Sequence, residues 1–325
     1  MSILVTGSSG HLGEALVRTL KQMNRTVKGI DLVPGLFTDR TGSISDPAFA
    51  AASMKNVEFV LHTATLHKPH VATHTRQDFI DTNITGTLNL LEAAVKAGAH
   101  TFVFTSTTST FGDALTPAAN EPAAWITEDI RPVPKNIYGV SKTAAEDLCR
   151  LFHRNQGLAC IILKTSRFFP EEDDQALVRE QYDDRNCKAN EFLYRRVDIE
   201  DVVNAHLLAM EKGRFIGYGR YIISATTPFM KEHLQVLHGN APAVVKELFP
   251  GYETEYMKRS WKMFPKIDRV YVNALARREL GWNPKYDFAY VLHELQAGRD
   301  FLSPLARQTG SKGYHKNGLQ PGFTR

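Results

Sequence analysis

The segment Ile3-Leu4-Val5-Thr6-Gly7-Ser8-Ser9-Gly10-His11-Leu12-Gly13 limits what this chain can fold into more than any other. An apolar run enters a turn with glycines every third residue, and an amphipathic stretch, 12–23, follows. Glycine is needed where a strand reverses into a helix and backbone N–H groups must approach a pyrophosphate with no Cβ in the way. The helix then aims its positive N-terminal end at the phosphates. The next predicted strand, 26–30, leads to Asp31. An acidic residue about 20 positions past such a turn is placed to bond the adenosine ribose hydroxyls. A carboxylate there repels a 2′-phosphate, which favours NAD over NADP, while Arg40 downstream works against that preference.

Strand and helix patterns alternate through the first half. The sequence predicts a short segment at 43–46, a helix beginning at Pro47, a buried strand 57–62 and a long helix 78–97. A strand 101–106, a helix 136–155 and a strand 159–165 follow. Such alternation implies parallel βαβ units with right-handed crossovers. Beyond Pro170 come a charged loop, a helix 198–210, a strand 220–224 and a tail punctuated by proline and glycine. The expected fold is α/β: a Rossmann-type doubly wound parallel sheet with a smaller C-terminal α/β substrate lobe. The NAD-binding domain is expected over 1–166, joined again by about 195–225, and the mainly substrate-binding lobe over 167–325.

Composition excludes several classes. The 325 residues, 43% of them hydrophobic, can bury a large core. Basic and acidic residues intermix to a net charge of +4, with no basic run of the kind that marks a nucleic-acid surface. No stretch approaches the roughly 18 apolar residues of a membrane span. The first residues read as a core strand rather than a signal peptide. Cys149, Cys160 and Cys187 have no metal-like spacing and are too few for a disulfide framework. The chain is expected to be cytoplasmic.

Tyr138-Gly139-Val140-Ser141-Lys142 carries chemistry. At i and i+4 on a helix, phenol and ammonium share one face. Removing a hydride from an alcohol carbon requires the hydroxyl proton to leave, and a phenol with a pKa near 10 is a poor base. A cation one turn away stabilises the phenolate. The run Thr105-Ser106-Thr107-Thr108-Ser109-Thr110-Phe111-Gly112 ends the preceding strand, where open α/β sheets bind ligands, and supplies hydroxyls beside the tyrosine.

Together these features resemble the extended short-chain dehydrogenase/reductase family, the NAD-dependent epimerase/dehydratase group. The matching residues are Thr6-Gly7-x-x-Gly10-x-x-Gly13, Asp31, His62-Thr63-Ala64-Thr65, Asn83-x-x-Gly86-Thr87, Phe111-Gly112 and Tyr138-x-x-x-Lys142. Val197 to Asp201 and Leu280-Gly281-Trp282-x-Pro284 extend the match over nearly the whole chain. The resemblance implies Thr107 as the catalytic hydroxyl, Tyr138 as general acid/base, and Lys142 as the residue that binds the nicotinamide ribose and tunes the phenol. It implies cofactor contacts at Gly7, Ser9, Gly10, His11, Leu12, Gly13 and Asp31. Further contacts are implied at Ser43, Ile44, Thr63, Ala64, Thr65, Asn83, Thr105 and Phe168, with Asn83 also supporting the site structurally. The helices over 78–97 and 136–155 resemble those that pair into a four-helix dimer interface, so a homodimer is expected.

Departures from the family pattern bear on the reaction. Sugar 4,6-dehydratases of the family resemble one another in carrying a carboxylate just after the catalytic threonine, where this chain has Thr108 and Ser109. Elimination is thereby disfavoured, which leaves dehydrogenation or epimerisation through a transient ketone. Arg167 stands at the position of an asparagine in the nucleotide-sugar enzymes, and the segment up to Arg195-Arg196-Val197 is short and charged. Phe169-Pro170-Glu171 is similar to the family's uronate dehydrogenases. Ser43 replaces an aspartate that touches adenine in many relatives, which leaves Ile44 and backbone for that contact.

Substrate contacts are expected from His67, Lys68, Thr107, Thr108, Arg167 and Arg196, with Arg195 and His70 nearby. Arginine's fork suits carboxylate or phosphate. His67, His70 and His74 come with no carboxylate at an obvious metal-ligand spacing in the sequence, and no metal is expected. The sequence thus points to an NAD-dependent oxidoreductase acting at a secondary alcohol or hemiacetal carbon of a small polar, sugar-derived substrate. A sugar or nucleotide-sugar 4-epimerase is the alternative within enzymes, and an NAD-sensing protein without turnover is the alternative outside them.

Overall fold

The computed structural model describes residues 2–312. Its strands are Ser2–Thr6 (β1), Thr26–Asp31 (β2), Arg40–Thr41 (β3), Phe59–His62 (β4), Thr101–Thr107 (β5), Ala124–Ile126 (β6), Ala159–Thr165 (β7), Tyr218–Ile223 (β8) and Arg269–Tyr271 (β9). Seven of them form one parallel sheet in the order β3-β2-β1-β4-β5-β7-β8, and β6 pairs with β9 in a separate two-stranded sheet. Strand order reverses between β1 and β4, the place where a doubly wound sheet opens a crevice for ligand. The register sets Thr6 beside Ile30 and His62, and Thr107 beside Thr165, so the carboxyl ends line up on one edge.

The central strands β5 and β7 are buried at every residue, which explains their near-continuous apolar sequences. Alternation along each strand feeds two cores. On one face Ile3, Val5, Leu61, Val103 and Ile161 meet Leu12, Leu16 and Leu20 of the helix His11–Gln22 and Val202 and Val203 of the helix Ile199–Ile216. On the other, Leu4, Val60, Phe102 and Ile162 meet Leu90 and Ala94 of the helix Gly86–Ala97 and Cys149 and Phe152 of the helix Ile137–Gln156. A third cluster, including Phe192, Leu237, Val245, Tyr256, Phe288 and Phe301, builds the C-terminal lobe.

Several elements differ from the sequence reading. The helix expected over 78–97 opens as Arg76–Phe79, passes through a π-helical turn Ile80–Thr85, and continues as Gly86–Ala97. Thr75 and Asp78 cap its start reciprocally. Asn136 is the cap of the next long helix rather than part of it, its Oδ1 accepting the Gly139 N–H at 3.1 Å. The helix expected over 198–210 is capped by Asp198 and runs on to Ile216. Edge strand β3 lies just before the segment 43–46. Among the described residues no helix is long and apolar enough to cross a membrane.

Candidate active site

A cavity of about 1440 Å³ runs along the carboxyl ends of β1, β2, β4, β5 and β7. That exceeds the roughly 300–1,000 Å³ of a pocket for one small ligand and leaves room for a dinucleotide beside a substrate. The glycine turn forms its floor. Gly7 has φ +73°, and a Cβ there would lie 2.8 Å from the Ala64 backbone nitrogen. A Cβ on Gly13 would lie 1.9 Å from the Gly7 carbonyl oxygen. Backbone cannot yield to such a clash as a flexible side chain does. Gly13→Ala is therefore expected to weaken NAD binding by at least about 100-fold and to cost about 1–3 kcal/mol of stability. Calorimetric titration and thermal melting check it, and wild-type affinity would contradict the packing.

Asp31 fixes that turn to the end of β2. Its Oδ2 accepts the Ser9 N–H and its Oδ1 the Val33 N–H, each at 2.9 Å. A carboxylate has about four acceptor positions, so acceptor capacity remains for ribose hydroxyls. Burial raises its pKa, and the backbone N–H groups oppose that shift. Ser43, Ile44, Thr63, Ala64, Thr65, Thr105 and Phe168 also line the cavity.

Behind β4 a chain of hydrogen bonds sets the loop that follows. Thr6 Oγ1 accepts the Thr63 and Ala64 N–H groups at 3.2 and 3.1 Å, so its own proton goes to His62 Nδ1 at 2.7 Å. His62 Nε2 then donates to Thr87 Oγ1 at 3.0 Å, and Thr87 donates to the Asn83 carbonyl at 2.7 Å. This order requires a neutral ring, in keeping with burial holding its pKa well below the ordinary value.

Asn83 sits in the π-helical turn and does not line the cavity. The cofactor contact expected from it is corrected to a brace. Its Oδ1 accepts from the Leu66 N–H and Thr65 Oγ1, and its Nδ2 donates to the Leu66 carbonyl and to Ser141 Oγ. Ser141 donates in turn to the Tyr138 carbonyl at 2.9 Å. All the polar capacity of one amide is spent tying the loop after β4 to the Tyr138 helix.

Tyr138 is 7% exposed and stands beside Thr107 at the end of β5, both on the cavity wall. Burial pushes the phenol up to about 12, and the Thr107 hydroxyl works against that rise. Thr108 and Ser109 follow in a 3₁₀ turn along the same wall. Lys142 is buried one turn along, its ammonium 4.0 Å from the Phe104 ring centroid. It lies beneath the cavity rather than on its surface, because the wall is closed by Tyr138, Thr105 and Thr107. The direct ligand contact expected of Lys142 is corrected accordingly. Burial brings its pKa down to about 7 against the pull of Glu146. Glu146, one further turn along, bonds Ser106 Oγ and Lys164 Nζ, the latter at 2.7 Å.

The far end of the cavity is a charge network. Arg167 Nη1 reaches Asp173 Oδ2 at 2.7 Å, and Arg195 Nη2 reaches Glu191 Oε1 at 2.9 Å. Arg167 and Arg195 line the cavity; Arg196 does not. Arg196 is 5% exposed, held by Glu191 Oε2 at 3.0 Å and by the Phe169 carbonyl at 2.6 Å. The substrate contact expected from Arg196 is therefore corrected to structural support, and its neighbour takes the exposed position. Burial would raise Glu191, but the three guanidiniums outweigh it and hold the carboxyl low. Asp173, Cys187 and Glu191 come within 4.8 Å of one another, yet guanidiniums already occupy both carboxylates, a donor set suited to ion pairing and not to a cation. His67 and Lys68 line this end too, with Lys68 Nζ 3.0 Å from Asp174. Burial brings the His67 ring down to about 3, so it is neutral at physiological pH.

Sequence reading missed Asp173 and Glu191, although Glu191 and Arg195 stand at helical i, i+4 spacing. It also missed Lys312, which lines the same cavity and has no local signal at all.

Residues 3–223 match the model of the NAD dependent epimerase/dehydratase family. The chain is 25% identical over 319 residues to a putative UDP-glucose 4-epimerase of Methanocaldococcus jannaschii, covering 88% of this chain and 94% of that protein. It is 23% identical over 334 residues to a 3 beta-hydroxysteroid dehydrogenase/Delta 5-->4-isomerase of Mycobacterium tuberculosis, covering 90% and 88%. A crystal structure of a short-chain dehydrogenase/reductase superfamily protein from Agrobacterium tumefaciens with bound NAD superposes with a TM-score of 0.64 at 23% identity, covering 95% of this chain and 98% of that one.

Proposed function

The chain belongs to the NAD dependent epimerase/dehydratase family, and from that premise we propose that it oxidises a secondary alcohol or hemiacetal carbon of a small polar, sugar-derived substrate. It is an NAD-dependent enzyme of the extended short-chain class. The cleft fits the cofactor: two glycines whose Cβ atoms would collide with backbone and so break the tight turn, a helix N-terminus behind them, and Asp31 where ribose hydroxyls would lie. NAD, when bound, supplies the hydride acceptor.

The observation that carries the reading is the buried Tyr138–Thr107 pair at the carboxyl end of β5. Tyr138 Oη exchanges the proton of the reacting hydroxyl, and Thr107 Oγ1 holds that oxygen in line. Lys142 lies one turn along, and in its protonated form, held up to about pH 7, its charge favours proton departure from the substrate. Arg167 and Arg195 belong to a network of three guanidiniums and two carboxylates, and the surplus positive charge supports a polyhydroxylated or anionic substrate. In this reading residues 1–166 with 195–225 hold the cofactor and 167–325 mainly shape the substrate end. A second reading, 4-epimerisation with the hydride returned to the opposite face, is supported by the M. jannaschii relative.

The test is incubation with NAD and a panel of free sugars, uronates, sugar phosphates and nucleotide sugars, followed at 340 nm and by chromatography. Sustained NADH growth with one class supports the dehydrogenase. Epimer formed without net NADH supports the second reading, and no conversion of any class with NAD bound would sink both.

Assembly is part of the proposal. Val140, Ala144, Leu148 and Leu151 recur at helical spacing, with Val140 and Leu151 exposed, as is Ile80 of the neighbouring helix. Two copies pairing through these helices would cover that stripe. Light scattering is expected to give twice the chain mass, and Val140→Glu with Leu151→Glu to halve it; a wild-type monomer would refute the pairing.

A further inference from the structure

Lys312 lines the dinucleotide cleft, and we infer that residues Gly310 to Lys312 are a strap that retains the cofactor, latched by Lys312 between Glu14 and Glu171. The helix Pro304–Thr309 packs beside His11–Gln22 and ends at Gly310, where φ is +56°. Ser311 Oγ and the Lys312 backbone N–H then both donate to Glu171 Oε1, at 2.9 and 2.8 Å. Lys312 Nζ donates to Glu14 Oε2 at 2.5 Å. Lys312, Glu14, Glu171 and His11 all line the same cavity.

Two further observations place a ligand under this strap. Glu14 stands in the first turn of the helix whose positive end faces the phosphates, where a bare carboxylate would repel them. Lys312 neutralises that carboxylate and sets an ammonium on the same rim. Beneath it the His11 ring is 2% exposed, stacked on Phe168 at 6.1 Å and bonded to the Gly310 backbone. Its Nδ1 is buried with no hydrogen-bond partner among the described residues.

The strap also joins the two ends of the cavity. Glu171 begins the loop whose Asp173 holds Arg167 and whose Asp174 holds Lys68. Opening the latch to let cofactor out therefore loosens the loop that shapes the substrate end. This inference rests on the cleft being an NAD site.

Stopped-flow dissociation of NADH, read by its fluorescence, tests it without turnover. Lys312→Ala and Glu171→Ala are each expected to speed NADH release by about tenfold, and Lys312→Arg to stay near wild type. Because both residues serve one latch, the double variant is expected to release no faster than either single one. Thermal melts confirm that each variant is folded. If Lys312 acted only as a local charge, Glu171→Ala would slow release and the two effects would add, and that result overturns the strap. Unchanged release in Lys312→Ala overturns it as well. A wild-type protein that binds no NADH would instead refute the cofactor reading, and the strap with it.

Discussion

Tyr138→Phe is expected to lower kcat by about 10²–10⁴-fold while NAD affinity changes by less than about threefold. The variant keeps the ring packed with Leu66 and Phe79 and removes only the phenol oxygen beside Thr107. Losing one neutral hydrogen bond costs about 0.5–1.5 kcal/mol, so the fold tolerates the change. The reaction does not, because the proton leaving the substrate hydroxyl then has no acceptor within reach. Steady-state kinetics on the active substrate class, with a parallel NAD titration, separate the two effects. Activity within tenfold of wild type would remove Tyr138 from its proposed role.

Lys142→Met is expected to reduce activity by about 10²-fold or more while leaving the fold as stable or more stable. An ammonium this deep loses its hydration, and a hydrophobic residue of similar length fills the same volume without that cost. The lost attraction to Glu146 is offset because that carboxylate keeps its pair with Lys164. The pH dependence gives the sign. Between about 7, where burial has brought Lys142, and its ordinary 10.5, the unfolded chain binds a proton that the fold rejects. Wild-type stability therefore rises with pH through that window relative to the Met variant, and the difference between them shrinks. Thermal melts at stepped pH measure it. A stability gap that widened in favour of the Met variant as pH rose would contradict the burial assigned to Lys142.

Much of this architecture is legible in the sequence because its cause is local. The apolar runs that became β5 and β7 are buried on both faces, and the glycine turn has one backbone solution. Tyr138 and Lys142 share a face by helical spacing alone. What the sequence hides is depth. Four residues separate the phenol from the ammonium in either case, but only the packing of Phe104 under the helix shows Lys142 to be beneath the cavity and not on it. Arg195 and Arg196 are adjacent and chemically identical, and the buried Glu191 decides which faces the ligand. The π-helical turn around Asn83 leaves no mark in the apolar pattern, since bonds to Leu66 and Ser141 hold it from outside its own helix. Lys312 reaches Glu14 across the whole length of the chain, a contact that no motif or period encodes.

The most direct test is calorimetric titration of the purified chain with NAD and, separately, NADP. The geometry of the glycine turn and Asp31 calls for one NAD site per chain, with NADP at least about tenfold weaker, a difference of about 1.4 kcal/mol. Asp31→Ala is expected to narrow that gap by removing the carboxylate that faces the 2′ position. Saturable NAD binding with this preference is the expected result. No NAD binding, or NADP binding as tight as NAD in the wild-type chain, would contradict the reading of the cleft from which the proposed chemistry is built.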